Sequence, residues 1–446
     1  MSDAPRIGNE PYGGYYKPRE RPVDDELSKV GPGTPCGEYL RRFWHPVTMS
    51  ERLADRPLAV RILGEDLVLF RDLSGDLGLV HKHCSHRGMS LEFGIIANHG
   101  IRCSYHGWRY GTDGRILELP AEPANSPLKE RVCQGAYPVL EYRDLIFTYM
   151  GPPEFKPAFP HLDVMDLPGN EMVPWQIHSP CNWLQVSENS MDPYHTPFLH
   201  TRMSGVQFED SWGELPVPDW HERDYGFFYT NARRAGDNIW VRVHDHFLPN
   251  FSQNGALFER GDGIRYFGRS SLTRWVVPID DANTWVIAWR NVNQLDDPEG
   301  RTRRDEIGWG TVDFYGQSAD RPYEQRQATP GDWDAWVSQG PINSHQREHL
   351  GVTDAGIRLL RAALRKGIRN LQQGIEPARP EAATGAHVPT FAGDTIVRIP
   401  KGAGDDRALI LETSRRVAAA YLAHKDLPDA ERRAAIARDL APLNVV

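Results

Sequence analysis

Cys84-Ser85-His86 and Cys103-Ser104-Tyr105-His106 decide how this 446-residue chain is read. Each stretch offers one soft thiolate and one imidazole. Two hairpin-like loops carrying them would put two cysteines on one iron and two histidines on another. That is a [2Fe–2S] ligand set of mixed type. Imidazole is a neutral donor, so such a cluster is less negative than a four-cysteine one and its potential is higher. Zinc and coincidence are the competing readings. Zinc sites of this ligand count pair Cys with Cys and His with His, and the mixed halves here argue against that. Gly88 and Gly107 stand where the chain must turn tightly beside the cluster. Trp108 either shields its edge or is an ordinary core tryptophan. His81, His83 and His99 read as structural or solvent-exposed.

The rest of the composition is globular, 40% apolar and 25% charged. At roughly 150 residues per domain the length predicts two to three domains. With 13 Trp, 16 Tyr and 16 Phe the core can be large. Net charge is −9 with both signs interspersed, which excludes a general nucleic-acid footprint. No apolar run approaches the ~20 residues of a membrane span. Met1 to Arg21 is polar and has no signal-peptide pattern, so cytoplasmic residence is expected. Five cysteines are too few for a disulfide framework; Cys36, Cys133 and Cys181 are expected as buried small hydrophobes.

Three segments follow from the pattern. Residues 1–45 form an arm ending in a helix, Pro35 to Phe43. Residues 46–152 hold short strands between Gly/Asp turns, an antiparallel β sandwich. Val60-Arg61-Ile62-Leu63 is expected to enter a Gly64-Glu65-Asp66 turn. Gly151 to Pro160 is Pro-rich and marks a boundary. Residues 153–446 mix a helix at Asn182 to Asn189, antiparallel strands between Tyr225 and Trp289, and helices over Asp354 to Gln372 and around Pro428. The class is α+β, a sheet with helices packed over it.

A second constellation reads Glu188-Asn189-Ser190-Met191-Asp192-Pro193-Tyr194-His195-Thr196-Pro197-Phe198-Leu199-His200. On a straight helix His195 and His200 would splay by about 140°. Pro197 disfavours that helix, and a bend there would bring both imidazoles to one metal. Two histidines and a carboxylate on one face make the open site of non-haem Fe(II) oxygenases. Taken alone, the segment reads as readily as unrelated core or surface groups.

Together the two constellations resemble the terminal oxygenase (α) subunits of Rieske non-haem iron oxygenases. The respiratory type of Rieske protein adds a disulfide between its loops; Met89 and Tyr105 occupy those positions here. The resemblance implies Cys84, His86, Cys103 and His106 as ligands of a Rieske [2Fe–2S] cluster, and a catalytic domain of helix-grip type. From the motif Asp-x2-His-x4-His it implies His195 and His200 as ligands of a mononuclear Fe(II). It implies Asp192 as the bridge to a neighbouring subunit's Rieske histidine. The third iron ligand in such proteins is a carboxylate at a helix start far downstream. Asp354, after Thr353, is the expected one and Glu348 the fallback; a plain N-terminal helix acid is the alternative.

Val30 to Pro35, Leu63 to Val68, Arg321-Pro322-Tyr323-Glu324, Gln327, Pro330-Gly331-Asp332 and Glu348 to Ile357 are similar to the phthalate dioxygenase-like branch. That branch implies a homotrimer without β subunits, acting on substituted aromatic acids with O2. Electrons come from a separate NAD(P)H-dependent reductase, in some systems through a ferredoxin. No Gly-x-Gly-x-x-Gly follows a strand, so no nicotinamide or flavin fold is evident in the chain itself. The resemblance is nearest to dehydrodivanillate O-demethylase oxygenases, which implies oxidative O-demethylation of a lignin-derived biaryl acid. Ring hydroxylation of a phthalate- or phenoxybenzoate-like acid is the alternative. Arg242, Arg265, Arg274, Trp275 and Trp289 either meet a carboxylated ring or are ordinary sheet residues. An electron-transfer protein without chemistry of its own would leave the second constellation and some 300 residues idle; a zinc hydrolase using both clusters is the other rival, which zinc by metal analysis without a Rieske EPR signal would establish.

Overall fold

The computed structural model describes residues 11–17, 22–203, 205–257, 263–297, 300–302, 304–311, 320–380 and 387–445. Parts of the N-terminal arm, 1–10 and 18–21, therefore lie outside the described residues. The arm joins the fold through α1 (Pro35–Leu40). Thr34 sets its start, its Oγ1 accepting from Gly37 N–H at 3.2 Å with proline at the first helical position.

Eleven short strands follow: β1 (Trp44–Met49), β2 (Leu58–Ile62), β3 (Glu65–Arg71), β4 (Leu77–His81), β5 (Ile95–Ala97), β6 (Gly100–Arg102), β7 (Arg109–Tyr110), β8 (Ile116–Glu118), β9 (Ala136–Tyr137), β10 (Val139–Tyr142) and β11 (Leu145–Tyr149). They form three antiparallel sheets, ordered β1-β11-β10, β2-β3-β4-β9 and β5-β6-β7-β8. The β2–β3 turn is tighter than the sequence suggests. Ile62 pairs with Glu65, so Leu63 and Gly64 make the whole turn at φ 50° and 77°. Positive φ at both central residues matches the twist of the flanking strands. The N–H groups of Leu63 and Gly64 donate to the carbonyls of Pro278 and Ile279, docking this turn on the second half of the chain.

That half is built on one antiparallel sheet. Its elements are β12 (Asn170–Ser179), α2 (Trp183–Asn189), β13 (Val217–Arg223), β14 (Gly226–Ala235), β15 (Asn238–Phe247), β16 (Phe251–Asn254), β17 (Arg265–Arg269), β18 (Leu272–Asp280), β19 (Asn283–Asn293), α3 (Asp332–Val337), α4 (Ala355–Gln372), β20 (Gly393–Arg398), α5 (Asp406–Ala423) and α6 (Asp429–Leu440). The sheet runs β12-β19-β18-β16-β15-β14-β13, with β20 paired to β15 and β17. The architecture is the α+β one expected.

Both faces of the sheet are covered. Phe228, Ala232, Ile239, Val241 and Val243 pack with Ile410, Val417 and Tyr421 of α5 and Ile436 of α6. Tyr229 and Trp240 belong instead to the larger core with Trp183 and Leu184 of α2 and Leu360 and Leu364 of α4. Alternate residues of β14 and β15 therefore serve different layers, as the two-residue period of a strand requires. Cys36 and Cys181 are buried as expected; Cys133, expected buried, is exposed on the segment before β9. Among the described residues no helix is long and apolar enough to cross a membrane.

Candidate metal centres

The two Cys/His loops fold alike. In the first, Cys84 N–H donates to Met89 O at 2.9 Å and Gly88 N–H to Cys84 O at 2.8 Å. In the second, Cys103 N–H donates to Trp108 O at 2.8 Å and Gly107 N–H to Cys103 O at 3.0 Å. The closing glycines take φ of 78° and 77°, the left-handed region that favours Gly. Cys84 and Cys103 are buried and unbridged, and burial, with the Cys84 sulfur beside it, pushes the Cys103 thiol up.

The His86 and His106 rings meet edge to face at 4.5 Å, at the partly exposed tip. Trp108 stacks on His86 at 4.5 Å and 8°, so it backs a candidate ligand directly. The Nδ1 of His86 is buried without a hydrogen-bond partner, as an atom reserved for a metal would be. Tyr110 Oη lies 3.0 Å from Cys84 Sγ and 3.0 Å from Ser85 Oγ, and burial keeps its phenol protonated. His81, His83 and His99 are exposed.

In the second constellation α2 starts at Asn182, whose Oδ1 accepts from Leu184 N–H at 3.1 Å. The chain then changes its helical pitch twice. Pro193–His195 is a 3-10 turn begun by Asp192, and Phe198–Arg202 is a π turn. Pro197 immediately precedes the π turn, which closes with Met203 N–H on Phe198 O at 2.9 Å. These changes of pitch bring residues five apart onto one side: the His195 and His200 rings lie 5.3 Å apart.

His195 Nδ1 hydrogen-bonds the carbonyl of Asp192, and His200 Nδ1 lies 2.6 Å from Gln207 Oε1. A carbonyl only accepts, so Nδ1 carries the hydrogen in His195 and the Nε2 lone pair is available; the same holds for His200 with Gln207 placed this way.

The carboxylate that meets those lone pairs is Asp332. Its Oδ1 stands 3.4 Å from His195 Nε2 and 3.4 Å from His200 Nε2. Ligand atoms ~2.1 Å from a shared metal lie about 3.0–3.4 Å apart, so the three fit one ion. His195, His200 and Asp332 form such a group in the described structure. Burial opposes the charge on Asp332, but His200 and His195 outweigh it and hold the carboxyl well below its ordinary range. Conversely, burial lowers the His195 imidazole, and Asp332 more than restores it.

Asp354, expected as the third ligand, does not join them. It precedes α4, and its Oδ2 accepts from Gly351 N–H at 2.6 Å, the plain helix-start role. The fallback, Glu348, is held by Arg361, which also grips the buried Glu188: its Nη2 lies 3.0 Å and 2.9 Å from the two carboxylates. Asp332 too begins a helix, α3, after Gly331. Both acids stand at helix starts, and of the two only Asp332 lies beside the histidines. Asp192 is partly exposed; its Oδ1 accepts from Tyr194 N–H at 3.0 Å, and its Oδ2 lies 3.8 Å from His195 Nδ1. Gln207 and Asn189, which touch the trio, carry no motif that marks them.

Beside the trio is a cavity of about 40 Å³. Its walls include His195, His200 and Asp332 on one side and Tyr229, Arg242, His244 and Arg274 from the sheet. Arg242 and Arg274 are buried and form no ion pair among the described residues. Arg242 Nε donates to Ala256 O at 2.7 Å, and its guanidinium lies 4.1 Å from the Trp212 ring centre. Arg274 Nε donates to Ser252 Oγ at 2.9 Å. Burial pushes Arg242 down to about 10 and lowers Arg274. Arg265, by contrast, is paired with Asp394 at 2.8 Å, and Trp275 and Trp289 are packed in the core.

Residues 43–138 match the model of the Rieske [2Fe-2S] domain. The chain is 42% identical over 438 residues to the tert-butanol monooxygenase / tert-amyl alcohol desaturase oxygenase subunit of Aquincola tertiaricarbonis, covering 94% of this chain and 93% of that protein. It is 38% identical to the phenoxybenzoate dioxygenase subunit alpha of Ectopseudomonas oleovorans, covering 85% and 91%. To the 5,5'-dehydrodivanillate O-demethylase oxygenase subunit of a Sphingobium strain it is 32% identical, covering 84% and 87%. Among solved structures, Pseudomonas putida CBB5 NdmA with caffeine aligns at TM-score 0.60 and 20% identity, covering 78% of this chain and 99% of that one. That last likeness is one of fold. The cofactors are a Rieske [2Fe–2S] cluster and a mononuclear iron, and the donor sets fit both. The chain belongs to the Rieske non-haem iron oxygenases, as a terminal oxygenase subunit.

Proposed function

We propose that the chain oxidises a carboxylated aromatic substrate, with oxidative O-demethylation as the favoured outcome. In this reading Cys84, Cys103, His86 and His106 hold the cluster, and His195, His200 and Asp332 hold the iron. Asp192, partly exposed beside His195, bridges to the Rieske histidine of a neighbouring subunit in a homotrimer. A separate reductase, directly or through a ferredoxin, delivers electrons from NAD(P)H, in the cytoplasm. When bound, the iron supplies O2 activation. One oxygen atom enters a methyl C–H bond; the other leaves as water, consuming two electrons and two protons. The resulting hemiacetal breaks to formaldehyde and a phenol.

The observation that carries the substrate class is the pair Arg242 and Arg274, buried in the wall of the cavity without carboxylate partners. Among the described residues neither guanidinium is in direct contact with a carboxylate, Asp394 and Asp332 acting on them only at longer range, so an incoming carboxylate offsets the cost of their burial while orienting the ring. The other wall, formed by the imidazole–carboxylate trio, fixes which carbon is presented. A cavity of about 40 Å³ admits neither a biaryl nor a monocyclic acid until its walls move, and the smaller acid asks for less movement. Monocyclic methoxylated acids are therefore the first to test.

That same volume, with the 42% identity to a tert-butanol monooxygenase subunit, favours a second reading, hydroxylation of a small tertiary alcohol. Incubating the iron-loaded protein with a reductase, O2 and either 3-methoxybenzoate or tert-butanol separates them. Formaldehyde from the acid supports the first reading. A diol from the alcohol, with no use of the acid, overturns it in favour of the second.

A further inference from the structure

The cavity face of β15 carries Trp240, Arg242, His244 and His246, every second residue of a fully buried strand. His244 differs from the other buried histidines. His45 places Nε2 2.8 Å from Leu40 O and Nδ1 3.2 Å from Asn250, and His246 places Nδ1 3.0 Å from Ser190 Oγ. His244 is 5% exposed, and neither of its ring nitrogens makes a well-formed hydrogen bond; only the Asn254 side chain, on the same cavity wall, interacts weakly with the ring. Its ring is held by stacking on Tyr229, at 4.8 Å and 13°. Leaving buried polar atoms unpaired costs free energy. A structural histidine would be expected to satisfy at least one of them.

His244 lines the cavity together with the two unpaired arginines and the imidazole–carboxylate trio. Burial first, then Arg242, keeps its imidazole neutral; the weak hydrogen bond with the Asn254 side chain opposes them, and Arg233 and Arg274 add smaller pushes the same way as Arg242. A neutral imidazole offers one donor and one acceptor. The neighbouring guanidiniums are better partners for a carboxylate. What remains for His244 is an uncharged oxygen.

Resting on the reading of this cavity as the substrate site, we propose that His244 is a substrate-binding residue that hydrogen-bonds an ether or hydroxyl oxygen of the substrate. Arg242 and Arg274 take the anionic end, and His244 holds the oxygen next to the carbon that is oxidised. A site built to hydrogen-bond an oxygen discriminates strongly against an analogue that lacks it.

The test uses the iron-loaded holoenzyme with its reductase and two probes of equal length, 3-methoxybenzoate and 3-ethylbenzoate. Tert-butanol is the third probe. His244→Phe keeps the stacking ring and removes both nitrogens; His244→Gln keeps a donor and an acceptor. Melting temperature, iron content and the cluster spectrum are followed in each variant. We expect His244→Phe to raise KM for 3-methoxybenzoate by about tenfold or more, to leave KM for 3-ethylbenzoate within about twofold, and His244→Gln to recover part of the loss.

Equal loss on both acids, or loss on neither, overturns the role of His244 while leaving the aromatic-acid reading intact. If the wild type uses neither acid but hydroxylates tert-butanol, the aromatic-acid reading fails. The inference is then decided by whether His244→Phe raises KM for the alcohol by a similar factor. A wild type acting on none of the three overturns both.

Discussion

Asn189 closes α2 and Asp332 opens α3, and the two helix ends meet: Asn189 Nδ2 donates to Asp332 Oδ1 at 3.1 Å. The oxygen so held is the one 3.4 Å from both imidazole Nε2 atoms. Asp332→Ala is therefore expected to lose the mononuclear iron and keep the cluster spectrum, so that bound iron falls from about three to about two per chain. Asp354→Ala is expected to keep both. Metal analysis with visible spectroscopy decides; iron retained in Asp332→Ala would remove it from the ligand set.

Asp192 lies against His195 at the rim of the iron site and is partly exposed. Asp192→Asn keeps the shape and removes the charge. We expect both metals to stay bound and turnover to fall by about a hundredfold, the upper end for a group that orients a metal ligand. Single-turnover reduction of the iron by the pre-reduced cluster should slow in parallel. Unchanged transfer would end the bridge assignment.

These two predictions differ in how far the sequence alone reaches. The Cys/His halves and Asp192-x2-His195-x4-His200 are short segments, so local spacing already limits where their side chains lie. Asp332 is more than a hundred residues from His200, and only tertiary packing of α3 against α2 brings it back. Both Gly331-Asp332 and Thr353-Asp354 begin helices, so no local property separates them. Of the cavity wall, the sequence points to Arg242 and Arg274 among five sheet residues open to either reading, and does not single out His244. Alternating polar residues along a strand usually mark a solvent face. Here α5 and α6 cover one side of β15 and the catalytic core covers the other, so the polar face of Arg242, His244 and His246 is interior. The Leu63-Gly64 turn was misplaced by one residue because Leu is an uncommon occupant of a left-handed position.

Asp163 ties the C-terminal helix to the body of the protein. It accepts from Arg432 of α6 at 3.0 Å and lies 2.8 Å from Arg269. Burial pushes its carboxyl up, but Arg269 and Arg432 outweigh that and hold it below the ordinary value. The folded state then binds fewer protons than the unfolded one near that value. Its stabilisation is complete above about pH 5 and is lost as pH falls through about 4 and below. Asp163→Asn should cost about 2–4 kcal/mol at neutral pH and flatten part of the acid limb. Urea unfolding across pH measures both.

Gly356, in the first turn of α4, sits against the loop that carries the histidines. A Cβ there would lie 2.1 Å from Met191 O and 2.3 Å from the Trp220 ring. Gly356→Ala gains helix propensity yet must displace backbone, so we expect a net loss of about 1–3 kcal/mol. Iron content should fall with it. A more stable, fully loaded variant would contradict the packing argument.

Tyr110 Oη, protonated and 3.0 Å from Cys84 Sγ, donates to that sulfur once it is a thiolate. Hydrogen bonds to cluster sulfurs stabilise the reduced, more negative state. Tyr110→Phe should lower the cluster potential, on the order of tens of mV, with the absorption spectrum retained. Redox titration reads it, and an unchanged potential would remove Tyr110 from the tuning set.

β15 divides its labour residue by residue. Ile239, Val241 and Val243 anchor the C-terminal helices, while Trp240, Arg242 and His244 face the other way, two of them lining the cavity. Substitutions that retune what the cavity accepts therefore fall on positions that do not hold α5 and α6 in place. A lineage of such proteins can drift from one substrate to another through single changes at Arg242 and His244, while Ile239, Val241 and Val243 keep α5 and α6 in place.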